Sequence, residues 1–143
     1  MEEPRIISIE EVVIAVEDIE KAVARFKDLF GMKFEVGWDM PMENMKVRAE
    51  TIAGTQLQFV QPTGPEGAVA KFIQTKGEGL NHFAFRVTNL RGMVSRLKEK
   101  GVRLIPPEPI EMKDPEGELL AAYIFVHPKS AFGTLIELIE RRD

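Results

Sequence analysis

The sequence predicts an α+β fold built from two similar modules that share one curved sheet, and three observations support this prediction. Apolar strand patterns alternate with helical patterns along the chain. When the chain is aligned with itself, the segment 11–27 falls on the segment 82–98 with apolar and polar positions in step. A second self-alignment, with a slightly larger shift, lays the segment 54–61 onto the segment 133–140. Two alignments in the same order indicate an internal duplication, and a unit of about 70 residues is too long for a solenoid repeat.

The first module is predicted to start with a short apolar strand and an amphipathic helix. Apolar residues recur at three- and four-residue spacing, as on the buried face of a helix; they are Ile19, Val23, Phe26, Leu29 and Phe30. Asp18 is a suitable N-cap and Gly31 a suitable C-cap. Further strands are expected at 32–39, 45–53 and 55–61, the last preceded by a glycine turn.

The second module repeats this order of elements. Its helix is predicted from the same spacing, in Leu90, Met93, Val94 and Leu97, with Asn89 as N-cap and Gly101 as C-cap. Strands are expected at 119–126 and 134–140, and the proline-rich segment 106–118 is expected to be a loop or an irregular edge. We therefore predict one domain over residues 1–143. It comprises a first module at about 8–62, a connecting helix at about 66–76 and a second module at about 80–141.

Composition narrows the class of protein. The 143 residues are 44% hydrophobic and 29% charged, which is typical of one globular domain. A net charge of −4 without a basic run argues against a nucleic-acid or membrane-surface partner. The chain has no long apolar stretch, no secretory pattern at its start and no cysteine, so we expect a soluble, cytoplasmic protein without thiolate metal ligands.

Four polar residues occupy matched positions of the predicted duplication. Glu11 aligns with His82, and Gln58 aligns with Glu137. Each of them lies on the strand face opposite the bulky apolar residues. Taken one at a time, each residue is better explained by a solvated or structural role. Together, one imidazole, two carboxylates and one amide suit a divalent cation such as Mn, Co, Ni, Zn or Mg, and they predict a metal site.

Five segments resemble one known family. They are IAVED (14–18), LQFVQPTGPEGAVAKF (57–72), GEGLNHFAFRV (77–87), LKEKGVRLI (97–105) and HPKSAFGTLIEL (127–138). The chain resembles the vicinal oxygen chelate superfamily, which includes glyoxalase I, extradiol dioxygenases and bleomycin-resistance proteins. Within it, the HPKS and GEGLNH segments are most similar to the methylmalonyl-CoA epimerase branch. The resemblance implies two βαβββ modules around a metal cleft, in a homodimer.

The resemblance also implies the ligand set. The metal ligands of the epimerase branch fall on Glu11, Gln58, His82 and Glu137, but the family has histidine where this chain has Glu11. A second carboxylate adds negative charge, which should hold the ion more tightly and weaken it as a Lewis acid. We therefore expect any epimerase activity to be reduced or moved to another substrate.

The implied reaction is the epimerisation of methylmalonyl-CoA or a related 2-substituted acyl-CoA thioester. A proton leaves the carbon next to the thioester and another returns on the opposite face, which requires two acid–base groups. By resemblance these are Glu43 and Glu137, although Asn44 and Met45 follow Glu43 where the family has glutamine and glycine. Lys129 and Ser130 are expected to contact the phosphates of coenzyme A.

Two other functions remain open at this point. One is a glyoxalase I-like lyase that isomerises a hemithioacetal. The other is a metal-free ligand-binding protein of the bleomycin-resistance type, which stays open because Glu11 replaces the first family histidine. An iron dioxygenase is disfavoured, because such sites use two histidines and a carboxylate, and only His82 lies in the repeat.

Overall fold

The computed structural model describes residues 2–143, which form eight strands and three α-helices. The strands are β1 (Arg5–Ala15), β2 (Val36–Met40), β3 (Met45–Ile52), β4 (Thr55–Pro62), β5 (Gly79–Thr88), β6 (Leu104–Lys113), β7 (Leu119–Val126) and β8 (Ile136–Arg141). The helices are α1 (Ile19–Phe30), α2 (Ala68–Lys76) and α3 (Leu90–Glu99), with short 3₁₀ turns at Pro41–Glu43 and Pro128–Ser130. Within residues 2–143, no helix is both long enough and apolar enough to cross a membrane.

The chain divides into two compact units that share an architecture. The first is Glu11–Asn81, and the second comprises residues 2–10 and 82–143. In the first unit the strands lie in the order β2-β3-β4-β1, with β1 parallel to β4 and the other pairs antiparallel. In the second unit the order is β5-β8-β7-β6, with β5 parallel to β8 and the other pairs antiparallel. The predicted α+β class, with a repeated strand–helix–strand module, is confirmed.

The sheet of the first unit is buried on both faces. Ile14 of β1 and Val16 directly after it pack with Phe34 and Phe59 against α1, as the alternation of the strand predicts. On the opposite face, the cluster around Val13 packs against α2; its fully buried members are Val13, Ala15, Val47, Val60 and Val69. The side of β1 that carries Glu11 is therefore covered by α2 over part of its length.

The second unit has one large and one small apolar cluster. The large cluster joins the sheet to α3; it contains Val87, Leu90, Met93, Val94, Leu104, Ile124, Val126 and Leu138. The small cluster, on the other face, contains Ala84, Ala121 and Ile139, with Tyr123 packed against it. Ala84 and Ala121 have small side chains, so they fill little space beside the predicted ligands of β5 and β8.

Both repeated helices begin as predicted. Asp18 accepts a hydrogen bond from the Lys21 N–H (3.2 Å), and Asn89 accepts one from the Gly92 N–H (3.0 Å). Gly31 ends α1 with a φ of 71°, a left-handed conformation that favours glycine. Lys100, rather than Gly101, is the C-cap of α3, and Gly101 follows in the left-handed conformation.

A second cap lies at the same place in both units. The side chain of Gln61, on β4, accepts a hydrogen bond from the Ile19 N–H at 2.7 Å. The side chain of Glu140, on β8, accepts one from the Leu90 N–H at 2.8 Å. The two capped residues are matched by the first self-alignment of the sequence, and the two capping residues by the second. The repeated cap supports the predicted duplication independently of sequence similarity.

One predicted strand begins later than expected, and the segment predicted as a loop or irregular edge is an irregular edge strand over part of its length. The strand expected at 32–39 begins only at Val36, because Phe34 has a φ of 51° and breaks the extended backbone. The segment predicted as a loop or irregular edge, 106–118, is an edge strand up to Lys113. Its pairing with β7 shifts register between Ile105 and Ile110, where prolines supply no N–H to the ladder.

Glu50 on β3 fixes the connection between α1 and β2. Its carboxylate accepts hydrogen bonds from the backbone N–H groups of Phe34 and Lys33. These hydrogen bonds, that from Phe34 first, favour the charged form and lower the pKa of Glu50 below its ordinary value. The first module therefore holds this connection with a charged side chain.

Candidate active site

The first unit contains two of the predicted ligands, Glu11 on β1 and Gln58 on β4. Their strands are parallel neighbours, and the register pairs Glu11 with Gln56 and Val13 with Gln58. Paired residues of neighbouring strands project from the same face, so the three polar side chains share one face of the sheet. The Gln58 amide nitrogen donates to the Gln56 oxygen at 2.6 Å and to Glu11 Oε1 at 3.4 Å. Gln58 is 6% exposed, so its polar group is buried.

The second unit contains the other two, His82 on β5 and Glu137 on β8. Again the strands are parallel neighbours, with Ala84 paired to Glu137. His82 Nε2 lies 3.1 Å from Glu137 Oε1, and the two side chains are 12% and 9% exposed. The imidazole also meets the ring of Phe125 edge-on, with centroids 5.2 Å apart. The two side chains therefore contact each other directly, have little exposure to solvent, and pack against an aromatic ring.

The His82–Glu137 pair fits a divalent ion by both chemistry and spacing. Two donor atoms that each lie about 2.1 Å from one ion, at an angle of about 90–110°, are about 3.0–3.4 Å apart. The observed 3.1 Å falls in this range. Imidazole nitrogen and carboxylate oxygen are ligands for Zn, Mn, Co and Ni alike. The second unit therefore offers a His/Glu ligand group, and its donors do not distinguish between these metals.

Glu43 lies in the first unit, at the end of the 3₁₀ turn Pro41–Glu43, and is exposed. Backbone contacts fix the turn. Thr63 donates its N–H to the Asn44 carbonyl at 2.9 Å. Gly67 packs so closely that an added Cβ would lie 3.0 Å from the Glu43 carbonyl oxygen, and its φ is +101°. The position of Glu43 is thus set by the loop between β4 and α2.

Lys129 and Ser130 lie in the 3₁₀ turn Pro128–Ser130 of the second unit, and both are exposed. His127 forms the cap of this turn, because its Nδ1 accepts a hydrogen bond from the Lys129 N–H at 3.0 Å. The second histidine of the chain therefore orients the turn that carries Lys129. An exposed ammonium and a hydroxyl on a fixed turn are suited to an anionic group of a ligand.

Sequence reasoning missed three residues that organise these sites. Gln56 holds the amide of Gln58, and Gln61 and Glu140 cap the helices of the two units. The signal for the caps was present, because the self-alignment that pairs Gln58 with Glu137 also matches the two capping residues. Gln56 carried no such signal, since its matched position is the apolar Leu135.

Comparison with known proteins identifies the class. Residues 10–118 match the model of the Glyoxalase/Bleomycin resistance protein/Dioxygenase superfamily. This match covers most of the chain, and the chain belongs to that superfamily. The resemblance found in the sequence is confirmed.

Individual relatives point to one branch. The chain is 31% identical to the mitochondrial methylmalonyl-CoA epimerase of Homo sapiens over 128 residues, which are 89% of this chain and 70% of that protein. It superposes on the crystal structure of methylmalonyl-CoA epimerase from Mycobacterium tuberculosis with a TM-score of 0.81 at 28% identity, over 96% of this chain and 90% of that one. A methylmalonyl-CoA epimerase in complex with methylmalonyl-CoA and NH4+ gives 0.79 at 25% identity, over 96% of both chains. Similarity to these epimerases identifies the chain as an enzyme of the isomerase class.

Proposed function

We propose that this enzyme epimerises methylmalonyl-CoA or a related 2-substituted acyl-CoA thioester, with the help of a divalent metal ion. The observation that carries the proposal is the part-buried His82–Glu137 pair, with His82 Nε2 and Glu137 Oε1 3.1 Å apart, in a chain similar to methylmalonyl-CoA epimerases. A histidine and a glutamate that contact each other on neighbouring strands, with little solvent exposure, are suited to holding a cation and to transferring a proton.

We propose the predicted set Glu11, Gln58, His82 and Glu137 as the metal ligands. Support comes from the repeated architecture, because each unit presents one residue of β1 or β5 and one of β4 or β8. When bound, the ion would supply positive charge that stabilises the enolate formed from the thioester. Two carboxylates in the set reduce that charge, which favours a slower enzyme or a substrate with a more acidic C–H bond.

The proton transfers are assigned to two glutamates. One glutamate, as the carboxylate, takes the proton from the carbon next to the thioester, and the other, as the protonated carboxylic acid, returns a proton to the opposite face. We assign these roles to Glu137 and Glu43. Burial of Glu137 and its contact with His82 support its role, since a buried carboxylate keeps a defined orientation. The backbone contacts of the turn that carries Glu43 support the second assignment.

Substrate binding is assigned to Lys129 and Ser130. A coenzyme A thioester carries phosphates, and an ammonium beside a hydroxyl recognises phosphate oxygens. Acyl-CoA binding by the structurally similar epimerase supports this assignment. The proposal also includes the homodimer and the cytoplasmic location expected from the sequence; light scattering in solution tests the first, and cell fractionation the second.

The experiment that tests the proposal combines metal content with isotope exchange. The untagged protein is dialysed against Mn, Co, Ni, Zn and Mg, and the ions per chain are counted by mass spectrometry. The same protein is then incubated with methylmalonyl-CoA in D2O. We expect about one ion per chain, lost in His82→Ala and Glu137→Ala, together with deuterium at C2. A metal-free protein that binds acyl-CoA without exchange would instead support the binding-protein function. A metal-bound protein that turns over only a hemithioacetal would support the lyase.

A further inference from the structure

Gln58 is the predicted ligand whose side chain ends in an amide, so either of two different atoms can face an ion. A side-chain amide has an oxygen, which is a metal ligand, and an NH2 group, which is not. Rotation of the amide by half a turn exchanges them. A protein that uses glutamine as a ligand must therefore hold its NH2 group elsewhere.

The contacts of Gln58 supply that restraint within the first unit. Its nitrogen donates to Gln56 Oε1 at 2.6 Å and to Glu11 Oε1 at 3.4 Å. The two hydrogens of the amide are thus both directed at acceptors, and the bond to Gln56 is much the shorter. Gln56 and Gln58 are two apart on β4, so both side chains project from one face of the strand.

We infer that Gln56 is a positioning residue that makes Gln58 an oxygen donor. This inference rests on the proposed function, since it concerns the metal site described above. Gln56 accepts the hydrogen bond from the NH2 group of Gln58 and so fixes which end of the amide faces the ion. Residues that orient metal ligands in this way contribute about 10- to 100-fold to metal affinity.

The arrangement is particular to the first unit. The position that matches Gln56 in the second unit is Leu135, and there the ligands His82 and Glu137 contact each other directly. Neither oxygen of a carboxylate needs such help, because the two are equivalent. The need for an orienting neighbour thus follows from the presence of an amide where the other unit has an acid.

A double-mutant cycle tests the inference through metal affinity alone. Gln56→Met, Gln58→Met and the double variant are titrated with Co²⁺ or Zn²⁺ against a chelating indicator, beside the unaltered protein. We expect Gln56→Met to weaken binding about 10- to 100-fold. In the Gln58→Met background the same change should have little further effect, because there is then no amide to orient.

Other outcomes separate the two proposals. If the unaltered protein binds no metal, the metal-dependent function fails together with this inference. If it binds metal and Gln56→Met stays within about twofold of it, or if the two changes are additive, Gln56 does not orient Gln58 and the inference alone is overturned. Gln56→Thr suits a strand, cannot reach Gln58 and gives the same test if Gln56→Met does not fold.

Discussion

The two units use one backbone plan to present two chemically different pairs. In the second unit, His82 and Glu137 contact each other at 3.1 Å and pack against Phe125. In the first unit, Gln58 Nε2 lies 3.4 Å from Glu11 Oε1. Its shorter hydrogen bond, at 2.6 Å, goes to Gln56 Oε1. The position that pairs with Gln58 across β3 is the small residue Ala49, whereas Phe125 pairs with Glu137 across β7.

This difference shows how two units with one architecture can present different chemical groups. Both units have the same strand order and the same helix caps, while the proposed ligand positions differ in charge and in the side chains that contact them. The second unit provides a rigid histidine and acid, suited to both binding and proton transfer. The first unit provides the amide of Gln58 and the carboxylate of Glu11, and the orientation of the amide depends on its hydrogen bond to Gln56. The predictions below test this division, from the largest effect to the smallest.

The largest effect is expected at Glu137. Glu137→Gln removes a ligand charge and the proposed base together, so deuterium exchange into methylmalonyl-CoA should fall about 10²- to 10⁴-fold and added metal should not restore it. Gln58→Ala removes a neutral ligand only, and saturating metal should restore most of the exchange. Equal losses in both variants, equally rescued by metal, would remove the distinction between the two pairs.

Glu11→His should convert the first pair toward the family pattern. With one carboxylate fewer, the ion is held less tightly but polarises the substrate more strongly. We expect weaker metal affinity and, at saturating metal, turnover about tenfold higher on at least one acyl-CoA. Glu111→His, at an exposed position of β6, is the control. Lower turnover than the parent on every acyl-CoA tried would refute this account of Glu11.

Gly67→Ala should act on Glu43 through the backbone. An added Cβ meets the Glu43 carbonyl at 3.0 Å and is strained at a φ of +101°, so the turn must shift. We expect turnover to fall about five- to tenfold, which corresponds to about 1 kcal/mol, with metal affinity unchanged. Gly64→Ala lies in the same loop, meets nothing within 4 Å and is the matched control. The assignment of Glu43 loses its support if both alanine variants turn over at the same rate.

Lys129→Ala should raise KM for an acyl-CoA by up to about fivefold, because an exposed ion pair contributes only about 0.2–1 kcal/mol. The corresponding acyl-pantetheine lacks the nucleotide phosphates, so its KM should not change. Lys100→Ala, also exposed in the second unit, serves as the control. An equal rise in KM for both substrates would show that Lys129 does not contact a phosphate.

The smallest effect concerns stability and Glu50. Its lowered pKa means that the charged form stabilises the fold fully above the ordinary glutamate pKa of about 4.3, and that this contribution is lost as the pH falls through the lowered value. The parent should therefore melt at a higher temperature than Glu50→Gln at neutral pH, and the gap should close in acid. A gap that stays constant from pH 7 to pH 3 would exclude the charge as its cause.

Most of the fold was predictable because it depends on local patterns. Alternation along β1 and the caps Asp18 and Asn89 act within a few residues of sequence, and all were found where expected. Phe34 was not predictable, because its left-handed backbone is stabilised from β3 by Glu50, which is distant in sequence. The edge strand at Leu104–Lys113 was missed in part because its prolines argue against a ladder that tertiary pairing nevertheless supplies.

The candidate site was predictable only where the two halves could be compared. Glu11, Gln58, His82 and Glu137 emerged because each has a counterpart, and family resemblance supplied Glu43, Lys129 and Ser130. Gln56 was out of reach, since whether a neighbouring amide orients a ligand depends on rotamers and distances that no sequence pattern encodes. The same is true of Gly67, whose close approach to Glu43 joins two separate loops.

The helix caps formed by Gln61 and Glu140 bear on the history of the chain. Each needs only a side-chain oxygen at the right place, so selection can tolerate either an amide or an acid there. At the ligand positions the same exchange would alter the charge felt by a bound ion. Exchange of an amide for an acid should therefore have little effect at the caps and a large effect at the proposed ligands. In distant descendants of the same ancestor, the cap contacts should remain recognisable after the ligands have been rewritten for other substrates.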